Sequence, residues 1–256
     1  YLVRRRFPWR RRTQKVKRKR GYKMKLQYLG HSCFKVEAEG YEIVLDPYEK
    51  DSVPGLKTLD VEADQCLCSH GHGDHCGLEW IRLKNRGVES PFKIERLESW
   101  HDDEKGALRG SNVIHILQAD GLKVIHLGDI GCMPEKWQLE RMEDADVIMA
   151  PVGGYYTAEP EVIRSLIDRL SPAVMIPMHY RTDKSGFPVL KTCEEYLEGC
   201  ENVTKYDTDT IRLEPGDGMG GEAEENPYSP EVRGQTHTQQ KAPVRVIVLK
   251  QWALGG

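Results

Sequence analysis

The sequence predicts an α/β chain built as a four-layer αββα sandwich, two β-sheets face to face beneath covering helices. Three observations predict it. Strand-length runs crowd the first half, strands alternate with helices in the second, and the side chains able to bind metal stand at the ends of strands. The first two rest on the spacing of apolar residues and turn formers.

From Met24 the chain reads as strands: Lys25 to Leu29, Cys33 to Glu37 and Tyr41 to Asp46, with Gly30 and Gly40 as turns. Pro47 to Asp60 is loop. Gln65 to Ser69 reads as a short buried strand and Leu78 to Leu83 as the start of a helix, which puts residues 69–75 on a strand-to-helix loop. Strands follow at Ile94 to Glu98, Asn112 to Leu117 and Leu122 to Leu127. The second half alternates: strand Asp146 to Ala150, amphipathic helix Glu161 to Leu170, buried strand Ala173 to Ile176, helix Leu190 to Leu197 and closing strand Thr210 to Leu213.

The 256 residues suit one large domain, or a domain of about 190 residues with tails. The expected division is a basic arm over 1–23, a folded domain over 24–214 and a disordered tail over 215–256, in which Val244 to Leu249 could add an edge strand. Residues 1–25 hold thirteen of the 37 Lys and Arg and no acid, leaving 24 bases against 40 acids in the remainder. Such an arm would bind nucleic-acid phosphates without sequence preference. A solvated tail, or sequence upstream of the domain, is preferred to that reading. No apolar run reaches membrane-spanning length and no signal-peptide pattern opens the chain. Seven cysteines, an odd number, suit reduced thiols in a cytoplasmic enzyme without a disulfide framework. Cys66 and Cys68 fit small core residues better than a zinc pair, and Cys76 adjoins a candidate ligand.

The chemistry centres on Ser69-His70-Gly71-His72-Gly73-Asp74-His75, three imidazoles and a carboxylate interleaved with glycines. Imidazole and carboxylate are the usual ligands of catalytic zinc, and glycine lets the backbone turn tightly enough to aim neighbouring side chains at one point. His101, Asp129 and His179 each follow a strand, so they can meet that loop on one rim of the sandwich. His115 and His126 lie within strands and read as core or face residues, and His237 has no assigned role. Asp102 and Asp103 read as solvated acids, with proton transfer as the alternative.

With Leu29-Gly30-His31-Ser32-Cys33-Phe34, Asp46-Pro47, Gly128-Asp129, Pro151-Val152-Gly153-Gly154 and Pro177-Met178-His179-Tyr180, the His-x-His-x-Asp-His loop resembles the metallo-β-lactamase superfamily. Within it, the chain looks like the compact lactonase-like group of small zinc-dependent hydrolases, over about residues 24–214. The resemblance implies that His70, His72 and His101 hold one metal, Asp74, His75 and His179 a second, and Asp129 both. Asp74 and Asp129 would thereby serve catalysis. The cofactors would be two divalent ions, zinc first and manganese or iron second. A metal-bridged hydroxide would then attack an ester, lactone or phosphodiester.

His31 and Asp46 could support the ligands or the substrate, while Lys105 and Arg109 could clamp an anionic group. The expected partner is a small-molecule substrate, with no membrane, and with nucleic acid only through the basic arm. Two rivals stand beside this reading: a nuclease of the same fold, disfavoured because no stretch between His101 and His179 is long enough for an inserted domain, and a metal-binding module without catalysis.

Overall fold

The computed structural model describes residues 24–214 and 244–252. The basic arm lies outside the described residues, as does the tail between 215 and 243.

The first sheet is assembled from β1 (Met24–Gly30), β2 (Cys33–Ala38), β3 (Tyr41–Leu45), β5 (Gln65–Leu67) and β13 (Thr210–Leu213), in the order β13-β1-β2-β3-β5. Its strands alternate between two buried faces. Leu26, Phe34, Val36, Ile43 and Leu45 point into the main core, whereas Leu29, Cys33 and Val44 point the other way. The second sheet begins as an antiparallel meander of β7 (Lys93–Trp100), β8 (Ser111–Ala119) and β9 (Leu122–His126). It continues in parallel through β10 (Val147–Pro151) and β11 (Val174–Met178), linked by the crossover helices α1 (Lys136–Met142) and α2 (Pro160–Leu170). Every residue of β10 and β11 is buried, as expected of parallel strands covered on both faces. One apolar cluster joins the inner faces of the two sheets with Ile163, Leu166 and Leu170 of α2. That is the sandwich the sequence predicts.

Three elements depart from expectation. Leu78 to Leu83 does not start a helix: a single 3-10 turn, Leu78–Trp80, leads into β6 (Ile81–Leu83), which pairs in parallel with β4 (Val61–Ala63). Four apolar residues in six carry too little periodicity to hold a helix, and pairing with β4 lets Ile81 fill the second core while Arg82 reaches Asp60 and Glu62. This small two-stranded sheet and residues Tyr48, Val53 and Leu59 cover the outer face of the first sheet.

The last helix is shorter than expected, α3 (Cys193–Leu197), because Thr192 and Glu195 form a capping box that fixes its start. The apolar hexamer near the C-terminus corrects the reading of 215–256 as a disordered tail. Arg245–Val248 forms β14, inside the second sheet between β11 and β12 (Val203–Lys205), and not at its edge. Val246 and Ile247 are buried there, and Gln251 accepts a hydrogen bond from Ser185 Oγ at 2.8 Å, tying the segment to the domain.

His115 faces His126 across β8 and β9, fully buried, with neither ring nitrogen hydrogen-bonded among the described residues. Burial pushes its pKa down to about 4. The folded chain therefore takes up this proton later than the unfolded chain, and stability falls as pH drops from about 6.5 to about 4. His115→Leu is expected to gain about 2 kcal/mol more stability over the parent at pH 5 than at pH 8. Urea unfolding at both pH values checks this; an unchanged difference between the two would contradict it.

Candidate metal centre

The candidate ligands converge from four strand ends. Beyond β5 the chain turns through residues 68–77, pinned by the His75 and Cys76 amides donating to His72 O and by the Gly77 amide donating to Pro47 O. Cys68 and Cys76 bracket this turn and form a disulfide, their Cα atoms 5.3 Å apart. That corrects the expectation of free thiols throughout: the ligand loop folds back on itself and brings together two residues eight positions apart. His101 follows β7, Asp129 follows β9, and His179 follows β11. Gly131 admits this closeness, since a Cβ there would lie 2.2 Å from the Asp102 amide nitrogen.

Three groups of side chains present donor atoms within 4.8 Å of one another: His70 with His72 and His101; His31 with Asp74, His75 and His179; and His70 with His75 and Asp129. Asp129 sits among them. Its Oδ2 lies 3.1 Å from His75 Nε2, 3.1 Å from His179 Nε2 and 3.4 Å from His101 Nε2. Asp74 Oδ2 lies 3.2 Å from His31 Nε2 and 3.5 Å from His75 Nε2. His75, His101, Asp129 and His179 are buried, while His72 is exposed at the mouth.

The electrostatics follow from packing charged and titratable groups out of water. Burial opposes the charge on Asp129, yet His179 and His75 hold its carboxyl well below the usual range. Burial likewise opposes charge on Asp74, and the His31 ring holds that carboxyl low. His70 is pushed down to about 3 by burial and by the neighbouring His75. Burial disfavours the His75 cation, but Asp129 and Asp46 outweigh it and raise its pKa. A proton and a cation compete for the same His75 nitrogen, so metal uptake should strengthen as pH rises.

The fit to a metal can be tested on the atoms left over. Nε2 of His70, His75 and His179 and Oδ1 of Asp129 are buried without a hydrogen-bond partner among the described residues. Buried polar atoms normally find partners, and imidazole nitrogens aimed at a shared carboxylate are the donor set that zinc, manganese and iron accept.

Behind the cluster, Asp46 links two of the rings. Fully buried, it accepts from the Ser69 amide at 2.6 Å, from Ser69 Oγ at 2.6 Å and from His75 Nδ1 at 2.8 Å. Ser69 Oγ in turn lies 2.9 Å from His70 Nδ1. Since the carboxylate only accepts, this chain places protons on the Nδ1 atoms and leaves both Nε2 atoms facing the cluster. His31, Asp46 and His179 all take left-handed backbone angles, φ 53°, 45° and 52°, which are uncommon outside glycine and concentrate at functional sites.

His126 lies behind this group, its Nε2 2.8 Å from Ser32 O, and serves the core. Asp102 is not a solvated acid. Although burial raises its pKa, the amides of Arg109, Gly106, Leu108 and Glu104 hold the carboxyl below its usual value and shape the loop that carries His101. Asp103 is exposed. Arg109 borders a cavity of about 280 Å³ over the cluster, but Lys105 is exposed and lines neither that cavity nor its neighbour, so the structure does not bring it to the site.

Several participants escaped the sequence reading. Ser69 was visible as the residue opening the ligand loop. Asn112, which accepts from the Asp129 amide at 2.9 Å and donates to Leu127 O at 2.9 Å, left only the trace of an amide heading an apolar strand. Tyr156 and Phe187, which wall the cavity, left none.

Comparison with known proteins places the chain in a family. The family model for the β-lactamase superfamily domain matches residues 25–179, from β1 to His179. A metal-dependent hydrolase of Methanopyrus kandleri is 26% identical over 230 residues, spanning 76% of this chain and 98% of its own. One from Bacillus cereus is 27% identical over 219 residues, spanning 71% and 95%. Among solved structures, a Thermotoga maritima protein assigned as a Zn-dependent hydrolase of the metallo-β-lactamase superfamily superposes with TM-score 0.62 at 27% identity, covering 88% of this chain and 98% of that one. A metallo hydrolase of Ignicoccus hospitalis shares the fold at TM-score 0.52 and 24% identity, covering 69% and 89%. With more than half its length matched by the family model, the chain belongs to the β-lactamase superfamily, as a metal-dependent hydrolase of the metallo-β-lactamase fold.

Proposed function

We propose that the protein hydrolyses a small ester or lactone at a centre of two divalent cations, zinc by preference. The observation that carries this reading is the position of Asp129, whose one oxygen is within 3.4 Å of three imidazoles drawn from both ligand groups. His70, His72 and His101 would hold one ion, and Asp74, His75 and His179 the other, with Asp129 between them. Seven protein ligands are more than one tetrahedral zinc can use. Ions bound there would supply a nucleophile at neutral pH and would polarise the oxygen of the bond to be broken.

The chain's own residues do the rest. Asp46 and Ser69 orient the His75 and His70 rings, and Asn112 fixes the backbone of Asp129. Disposed edge to face 5.7 Å apart, Tyr156 and Phe187 wall the cavity above the ligands and shield part of it from water. A nuclease reading gains nothing from the surroundings, because Asp103, Glu159 and Glu161 line the adjoining cavity and repel a polyanion. An open cavity directly over the ligands also speaks against a metal-binding module without catalysis.

The test is a panel of carboxylic ester, lactone, thioester, phosphodiester and RNA, assayed with chelated protein and after reloading with zinc, manganese or iron. Turnover of an ester or lactone that chelation removes, that reloading restores, and that Asp74→Ala lowers by on the order of a hundredfold is expected. Cleavage confined to RNA, or turnover indifferent to chelation, would contradict the proposal.

A further inference from the structure

The geometry points to a substrate bearing a single carboxylate, received by Arg109; this deepens the hydrolase reading above and rests on it. The cavity of about 280 Å³ over the ligands and its neighbour of about 580 Å³ share His101, Arg109 and Tyr156. Arg109 therefore stands between the reacting end of the site and the space beyond. Among the residues lining either cavity it is the one lysine or arginine.

Its placement is fixed from two directions. The Arg109 amide donates to Asp102 Oδ2 at 2.7 Å, which anchors the backbone next to the ligand His101. One Nη2 hydrogen bond, to Tyr155 O at 3.1 Å, steers the side chain, and the guanidinium carbon lies 6.0 Å from the centre of the Tyr156 ring. Among the described residues no carboxylate pairs with Arg109. Both oxygens of Asp102 are taken by four amides, and Glu159 pairs with Lys191 at 2.7 Å. The remaining N–H groups of the guanidinium are open to a ligand.

A held, planar guanidinium with free donors suits a carboxylate, which it can bind through two parallel hydrogen bonds. The acids around it limit the charge it receives. Asp103, Glu159 and Glu161 border the larger cavity, so a second negative charge entering there would meet like charges. The aromatic pair Tyr156 and Phe187 adds an apolar wall on the other side. The substrate class that satisfies all three surfaces is a small monocarboxylate ester or lactone with an apolar face.

Two phenyl esters that differ only at the far end of the acyl chain test this: phenyl butyrate, ending in methyl, and monophenyl succinate, ending in carboxylate. The readout is the ratio of their kcat/KM values on metal-loaded protein. The parent is expected to favour the succinate ester, and Arg109→Gln to lower that preference by roughly ten- to a hundredfold, the worth of a charged hydrogen bond. Arg109→Lys should restore it in part, keeping the charge but losing the fork. An unchanged ratio in Arg109→Gln overturns the assignment. If neither ester is turned over, calorimetric binding to the same proteins decides: weakening by Arg109→Gln of the succinate ester alone upholds Arg109 and removes the ester-hydrolase reading, while binding indifferent to the substitution, or absent, overturns Arg109 as well.

Discussion

Asp129→Ala is expected to strip the site of metal and lower kcat/KM by roughly a thousandfold or more, with the fold retained. The size of the effect follows from position. Asp129 is the only carboxylate among the described candidate ligands that reaches His75, His101 and His179 together. Removing it would take one ligand from each proposed ion and leave His101 and His179 without the carboxylate they share with His75, so cation binding and charge stabilisation fall together. The backbone contact that supports this turn, the Asp129 amide to Asn112 Oδ1, survives the substitution, and the sheets are held by apolar strands elsewhere. Metal analysis, circular dichroism and kinetics on the same preparation check it; a variant that keeps its metal and most of its rate would refute the shared-ligand role.

Asp46→Asn should have the next largest effect: a ten- to hundredfold loss in metal affinity, together with about 2–3 kcal/mol of stability. Asparagine keeps the shape but replaces one accepting oxygen with a donor. Asp46 currently receives three N–H or O–H groups in a fully buried setting, so at least one of them would face another donor. The substitution also releases the arrangement that turns Nε2 of both His70 and His75 toward the cluster, one directly and the other through Ser69. Competition with a chromophoric chelator measures the first effect, and thermal unfolding of the metal-free protein the second. Metal affinity equal to the parent would show that the rings are oriented by other contacts.

Which parts of this structure were readable from sequence has a physical pattern. The ligand loop was readable because residues 69–75 place their chemistry within one turn, and His101, Asp129 and His179 because strands end just before them. β10, β11 and α2 were readable from local apolar periodicity. What could not be read depends on contacts distant in sequence. β6 exists because β4 offers it a pairing edge, against a pattern that locally resembles a helix start. β14 is joined to the domain by pairing with β11 and β12 across a long polar stretch, which makes its hexamer look isolated. The Cys68 to Cys76 bond depends on the loop turning back on itself. Tyr156 and Phe187 meet through the fold alone, and Arg109 differs from its neighbour Lys105 only in which way the loop around Asp102 carries it.

The measurement that bears most directly on a two-metal site is the metal content of the protein purified without chelator, by elemental analysis against a quantitative amino-acid determination. Two divalent ions per chain, predominantly zinc, are expected, falling toward none in Asp129→Ala. One ion per chain that cannot be raised by reloading, and that Asp129→Ala leaves in place, would contradict the binuclear centre.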